Sequence, residues 1–260
     1  MTNTRKPERA FFGISALVFA ASAAVTIVWC ASMSSMPGME MPGGWTMSMA
    51  WMRMPGQSWS GAAATFIGMW IVMMIAMMLP ALVPVLARYR QAIGEGGDSS
   101  LGPLTTLVGA GYFLAWTLCG VAAYSLGLAL AEIAMQVPAV SRAVPVAVGV
   151  VVVVAGLLQF TSWKSRQLEC CRAAPVRALA ADTSTAWRHG VRIGLQCVYC
   201  CAGLTAVLLV IGVMDLRAMA LMTAAIAAER LAPAGERVAR GIGAIIVVTG
   251  LLLIVREVAF

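Results

Sequence analysis

Three cysteines within five residues, Cys197-Val198-Tyr199-Cys200-Cys201, are the densest reactive group in the chain. On a helix, residues three and four apart share a face, so the three sulfurs would lie on an arc of about 100°. A second set of soft atoms occurs in Met69-Trp70-Ile71-Val72-Met73-Met74-Ile75-Ala76-Met77-Met78-Leu79-Pro80. There Met69, Met73 and Met77 form one helical stripe, and Met74 and Met78 an adjacent one. Thiolate and thioether sulfur together are a donor set preferred by Cu(I) and compatible with low coordination numbers. Cys197, Cys200 and Cys201 with Met73, Met77 and Met78 are therefore candidate ligands of one intramembrane site. Zinc is less well served, because structural zinc sites take four Cys or His and the only histidine is His189. Two other readings stay open. Cys197 and Cys200 form a Cys-x-x-Cys redox pair, although the thioredoxin-like setting of that motif is missing. The three thiols could equally be inert, since free cysteine is among the most buried residue types.

A second methionine group has a different character. Met33, Met36, Met39, Met41, Met47, Met49, Met52 and Met54 fall within 22 residues, among Pro37, Gly38, Pro42, Gly43, Gly44, Pro55 and Gly56. The breakers exclude a regular helix, so segment 33–60 is expected to be a loop able to wrap its thioethers around Cu(I) or Ag(I). The alternative is an interfacial apolar loop, anchored by Trp45, Trp51 and Trp59 at headgroup level. The adjacent pair Cys170-Cys171 lies among basic residues in segment 161–189, and basic neighbours favour the metal-binding thiolate. It is a possible second thiol site.

The elements that must position these groups are apolar. Of the 260 residues, 61% are hydrophobic and 11% charged, against roughly 25% charged in a soluble domain. Disorder, collagen and disulfide-scaffold classes fail on the same composition. The expected fold is an all-α polytopic transmembrane bundle forming a single membrane domain over 1–260. Spans fall at about 11–32, 61–86, 104–130, 143–160, 190–213, 216–229 and 241–255. That makes seven, or six if the short run at 216, which carries Arg217, is re-entrant. Arg5, Lys6 and Arg9 before the first apolar run resemble a signal peptide, but the run continues through Trp29-Cys30-Ala31 without a cleavage site and is read as an uncleaved anchor.

With seven spans and a cytoplasmic N-terminus, fourteen Lys and Arg fall inside, and Arg53, Arg142, Arg217 and Arg256 outside. The net charge of +7 is thus explained by the positive-inside rule, with no nucleic-acid partner required. This topology puts the Met-rich loop outside and segment 161–189 in the cytoplasm. Cys197 to Cys201 then lie roughly 10–17 Å deep, and Met77 and Met78 roughly 13–15 Å. No phosphate-binding loop, His-Glu-x-x-His or nucleophile elbow is present, so ATP-driven pumping and hydrolysis have no support. Glu132, Asp215 and Glu229 sit near span ends, and a buried carboxylate relay is not expected.

Several motifs together resemble a bacterial family of predicted metal-binding integral membrane proteins, grouped as domain of unknown function 2182. They are Trp70-x-x-Met73-x-x-Ala76-Met77-Met78-x-Pro80, Lys164 with Cys171-Arg172, Cys197-x-x-Cys200-Cys201, and Gly212-x-Met214 followed by Glu229-Arg230. The family carries cysteine, glycine, tryptophan and lysine where this chain has Gln167, Tyr199, Ala202 and Arg230. The resemblance implies metal binding within the bacterial inner membrane. Its expected cargo here is Cu(I), for transport, storage or delivery to a cuproprotein or copper chaperone. A membrane oxidoreductase, a metal-dependent subunit of a larger membrane enzyme, and a metal-free assembly subunit are the alternatives.

Overall fold

The computed structural model describes residues 5–34, 38–48, 51, 56–93, 101–172 and 182–259. Met36, Met49, Met52, Met54 and Arg53 lie outside the described residues, as does the polar linker at 95–100. Eight helices are described: α1 (Arg5–Ser34), α2 (Trp59–Ile93), α3 (Leu101–Gln136), α4 (Pro138–Leu158), α5 (Ser162–Arg172), α6 (Thr183–Ile211), α7 (Leu216–Leu231) and α8 (Gly235–Ala259). A two-stranded antiparallel hairpin, β1 (Met39–Glu40) with β2 (Thr46–Met47), lies between α1 and α2. The all-α bundle agrees with the composition. Six helices (α1, α2, α3, α4, α6 and α8) are long and apolar enough to cross a membrane. Exposed apolar side chains such as Leu17, Leu126, Ile245 and Val258 run along α1, α3 and α8, compatible with a multi-pass membrane protein.

The run at 216–231 forms a helix of 16 residues, about 24 Å long, short of the roughly 30 Å hydrocarbon thickness. It nevertheless completes an alternating path. The polypeptide leaves α6 through Gly212, whose φ of 145° turns the backbone sharply. Asp215 then caps α7 by accepting the N–H groups of Arg217 and Ala218 at 2.7 and 3.1 Å. At its far end Glu229 meets Gln159, which caps α4. So α7 runs back along α6, and α8 starts from the basic end of the bundle, opposite the hairpin.

Pairing of particular residues fixes the other directions. Trp70 Nε1 donates to the Trp116 carbonyl at 2.8 Å and Arg90 reaches Thr105, so α2 and α3 are antiparallel. Arg90 also lies 4.9 Å from the Phe11 ring, tying the start of α1 to the end of α2. The helix α2 continues through both Pro80 and Pro84 to Ile93 instead of ending at them. It is also the most enclosed helix, with 61% of its apolar window buried against 11–44% for the other five.

Two helix pairs approach so closely that only glycine fits. On α4 and α8, a Cβ at Gly156 would meet the Val247 nitrogen at 2.8 Å and the Gly243 carbonyl at 2.9 Å. On α3 and α6, a Cβ at Gly194 would meet the Tyr112 carbonyl at 2.7 Å. Small residues permit this backbone contact where apolar surroundings give helices no hydrophobic reason to associate.

The 33–60 segment is less open than its breakers suggest. Met41 and Met47 are buried against Ala131 and Ala134 of α3 and beside Trp45 and Trp51. Trp45 Nε1 donates to the Ser141 carbonyl at 2.9 Å, while the Ser141 hydroxyl donates to the Pro42 carbonyl at 2.7 Å. Those two sulfurs thus belong to a small core, because tryptophan rings and the α3 surface offer apolar cover. Met39 is exposed and Met33 half-buried. Of the three tryptophans only Trp59 projects outward, at 59% exposure.

The Gly156→Leu variant is expected to lose about 1–3 kcal/mol of stability through overpacking of α4 on α8. Denaturant unfolding in detergent micelles checks it, and a variant as stable as the parent would show that the backbones are not in contact.

Candidate metal centre

All three cysteines of the Cys197-x-x-Cys200-Cys201 group are buried on α6, as are Met73, Met77 and Met78 on α2, and all six belong to one core cluster. Local sequence explains the placement of α6. Asp182 caps its start, accepting the Thr185 N–H and hydroxyl at 2.8 and 2.7 Å. Those bonds hold the Asp182 carboxyl below the ordinary carboxylate range. Gly190 and Gly194 then let α6 lie on α3, which brings Tyr112 to Cys197.

Around Cys197 the geometry is tight. Its sulfur accepts hydrogen bonds from the Tyr112 hydroxyl and from Arg230 Nη1, both at 2.9 Å. The Cys201 sulfur lies 3.9 Å away. Two sulfurs at that separation can share one ion, since thiolate bonds to a metal such as zinc are about 2.3 Å each. Cys171 of α5 lies beside Cys200 and donates its thiol to the Gln196 carbonyl at 3.4 Å. The neighbouring Cys200 sulfur and burial raise the Cys171 thiol above its ordinary range. Among the described residues, no group of three or more His, Cys, Asp or Glu is arranged as a ready metal site. The sulfurs are instead engaged by protein donors. All seven cysteines are free thiols.

The pair at 170–171 divides. Cys170 is exposed, whereas Cys171 is buried and joins the α6 thiols. Segment 161–189 is not a simple loop, because Ser162–Arg172 is helical and packs along α6. On a helix adjacent residues point about 100° apart, so Cys171 is buried toward α6 while Cys170 stays exposed.

Sequence reading missed the polar partners. Lys164 Nζ donates to Glu229 at 2.7 Å and to the Cys200 carbonyl at 2.7 Å. Glu229 also accepts from Gln159 Nε2 at 3.0 Å. Lys164 and Glu229 side chains are 5% and 2% exposed, so this ion pair is internal. Glu229 is thus not a solvated span-end residue, because α7 is short and ends within the bundle. Arg230, counted by charge as a flanking residue, reaches into the core to Cys197. Three of these positions, Lys164, Glu229 and Arg230, lie in the motifs that carry the resemblance. Tyr112 and Gln159 had no signal of their own. His189 is remote from the thiols and stacks on Tyr89, with ring centroids 5.6 Å apart.

The fold is an all-α bundle with a buried group of thiols, and comparison of sequences gives the family. The chain belongs to the PpoB2 family, described as copper chaperone, whose profile matches residues 67–253. The match takes in α2 from Ile67, the whole of α3 to α7, and most of α8. No curated protein and no solved structure matches the chain. The finer likeness to domain of unknown function 2182 remains a resemblance of motifs.

Truncating Glu229 to Ala should cost about 3–5 kcal/mol by stranding the Lys164 charge, while the double variant Lys164→Met/Glu229→Leu should recover most of that loss. Unfolding midpoints of the three proteins decide it; equal loss in the single and double variants would mean that burial of the unpaired charge is not the cause.

Proposed function

We propose that the protein carries Cu(I) within the bacterial inner membrane and delivers it to a cuproprotein or a second copper chaperone. Cys197, Cys200 and Cys201 are the thiolate or thiol ligands, with Met73, Met77 and Met78 as thioether donors from α2. The observation that carries this reading is the Arg230 guanidinium 2.9 Å from the Cys197 sulfur in a buried, sulfur-rich core. Two thiolates on Cu(I) leave one net negative charge, which burial penalises unless a cation compensates it. Arg230 is that cation. Lys164 is already neutralised by Glu229 and makes no further demand on the site.

The donor set suits the cargo, since soft sulfur selects Cu(I) over hard divalent ions. Tyr112 and Arg230 hold the Cys197 sulfur when no copper is there, and they must yield some of that bonding when the ion arrives. Membership of a copper chaperone family supports a carrier more than a catalyst. The N-terminus and the basic end of the bundle face the cytoplasm, and the hairpin lies outside. On that outer side Met33 and Met39, with Met36, Met49, Met52 and Met54, collect the metal weakly. Met41 and Met47 are committed to packing.

Detergent-purified protein, reduced and loaded with Cu(I), is expected to retain about one copper per chain, and the Cys197→Ser/Cys200→Ser/Cys201→Ser variant essentially none. Metal analysis after gel filtration reads the result, with circular dichroism confirming that the helices persist. Equal copper in the two proteins would overturn the assignment.

A further inference from the structure

A cavity of about 290 Å³ lies at the basic end of the bundle, lined by Ala81, Pro84, Val85, Arg88, Cys171 and Arg230, with the 231–233 turn closing one side. Its size is at the lower limit of small-molecule sites, roughly 300–1,000 Å³. Among the described residues, its wall carries two guanidinium groups, one thiol and no carboxylate. Guanidinium forks match carboxylate oxygens in pairs. A thiol beside them adds a soft atom. Inward of Cys171 is a void of about 10 Å³, bounded by Leu82, Tyr112, Cys171, Ile193, Gln196 and Arg230, and Cys170 also reaches its edge. That is close to the space of a single water-sized particle. Tyr112 and Arg230, which bound it, are the two groups that hydrogen-bond the Cys197 sulfur.

The two spaces therefore meet at Cys171, which lines both and lies beside Cys200. Resting on the carrier reading above, we propose that this cavity receives an anionic complex of Cu(I) with a small carboxylate-bearing thiol, and that Cys171 is the first protein sulfur to take the metal. The carrier's carboxylates lie on Arg88 and Arg230, which sets its copper beside Cys171. As the Cu–S bond to Cys171 forms, one Cu–S bond to the carrier breaks. The Cys171 proton passes to the departing carrier sulfur, which leaves as a thiol. Copper stays Cu(I) throughout, so no oxidant or reductant is needed. The ion then moves past the small void to Cys200 and Cys197 by further exchange of the same kind. Arg230 stays beside it, since this one side chain borders both spaces and touches the Cys197 sulfur.

The experiment uses the full chain in detergent, reduced and metal-free, mixed in stopped flow with Cu(I) as its glutathione complex or its cationic acetonitrile complex. Cys171→Ser is expected to slow loading from the glutathione complex about tenfold or more, as loss of the one thiol among the described residues lining the cavity removes the first exchange partner. Arg88 is exposed, so Arg88→Gln should fold as the parent does. It is expected to slow loading from the anionic glutathione complex several-fold and not from the acetonitrile complex, as charge steering requires. If the parent protein retains copper yet both variants load from glutathione at its rate, this entry route is wrong while the carrier reading stands. If the parent retains no copper from either source, the carrier reading itself falls.

Discussion

A lysine and a glutamate that cannot reach water decide how this bundle closes. In an apolar interior each charge is costly alone, and the pair is tolerable only when the remaining donors and acceptors are also met. Lys164 meets Glu229 and the Cys200 carbonyl, and Glu229 meets Lys164 and Gln159. Those bonds join α4, α5, α6 and α7 at a single level. The short helix α5, with few apolar side chains to hold it, is positioned by that contact. Its position in turn sets Cys171 over Cys200. The thiol cluster therefore depends on a polar network with no sulfur in it.

Close backbone packing supplies what the ion pair does not. Glycines at 190 and 194 let α6 lie directly on α3, and without that approach the Tyr112 hydroxyl would stop short of Cys197. The Met-bearing helix α2 is enclosed by its neighbours and packs through aromatic contacts, such as Phe66 with Tyr124 at 4.8 Å between centroids. The soft atoms thus stand on two well-supported helices, whereas their charged partners come from α5 and α7, which are shorter. Ligands on rigid elements keep their spacing, and partners on shorter ones can adjust as metal charge enters or leaves.

Much of this was readable in the sequence because it is periodic. The apolar runs became long helices, and the methionine and cysteine stripes fell on buried faces at helical spacing, as Met73, Met77, Cys197 and Cys201 illustrate. The short run at 216 was also visible. What the pattern hid was tertiary. Glu229 and Arg230 look like an ordinary charged helix end, and only the shortness of α7 turns both inward. Tyr112 lies in an apolar stretch and gains its role from glycines on another helix. Cys170 and Cys171 look equivalent until α5 forms and buries only Cys171. The Met-rich segment reads as open from its prolines and glycines, yet a tight turn with Trp45 docked on Ser141 buries Met41 and Met47. Breakers exclude a helix; they do not exclude a core.

The network also bears on which metals the thiols can meet. Glu229 is linked through Lys164 to the Cys200 carbonyl, and both its oxygens are engaged, one by Gln159 and one by Lys164. A hard oxygen donor held in this way is withheld from a cation beside Cys200, and the single histidine is stacked on Tyr89 some turns away along α6. What is left to face an ion is sulfur, with a fixed guanidinium to balance its charge. Divalent ions that depend on oxygen or imidazole lose their usual partners in such surroundings, whereas a monovalent soft ion loses none. The network that closes the bundle, three side chains (Gln159, Lys164 and Glu229) and the Cys200 carbonyl, thereby also occupies the Glu229 oxygens.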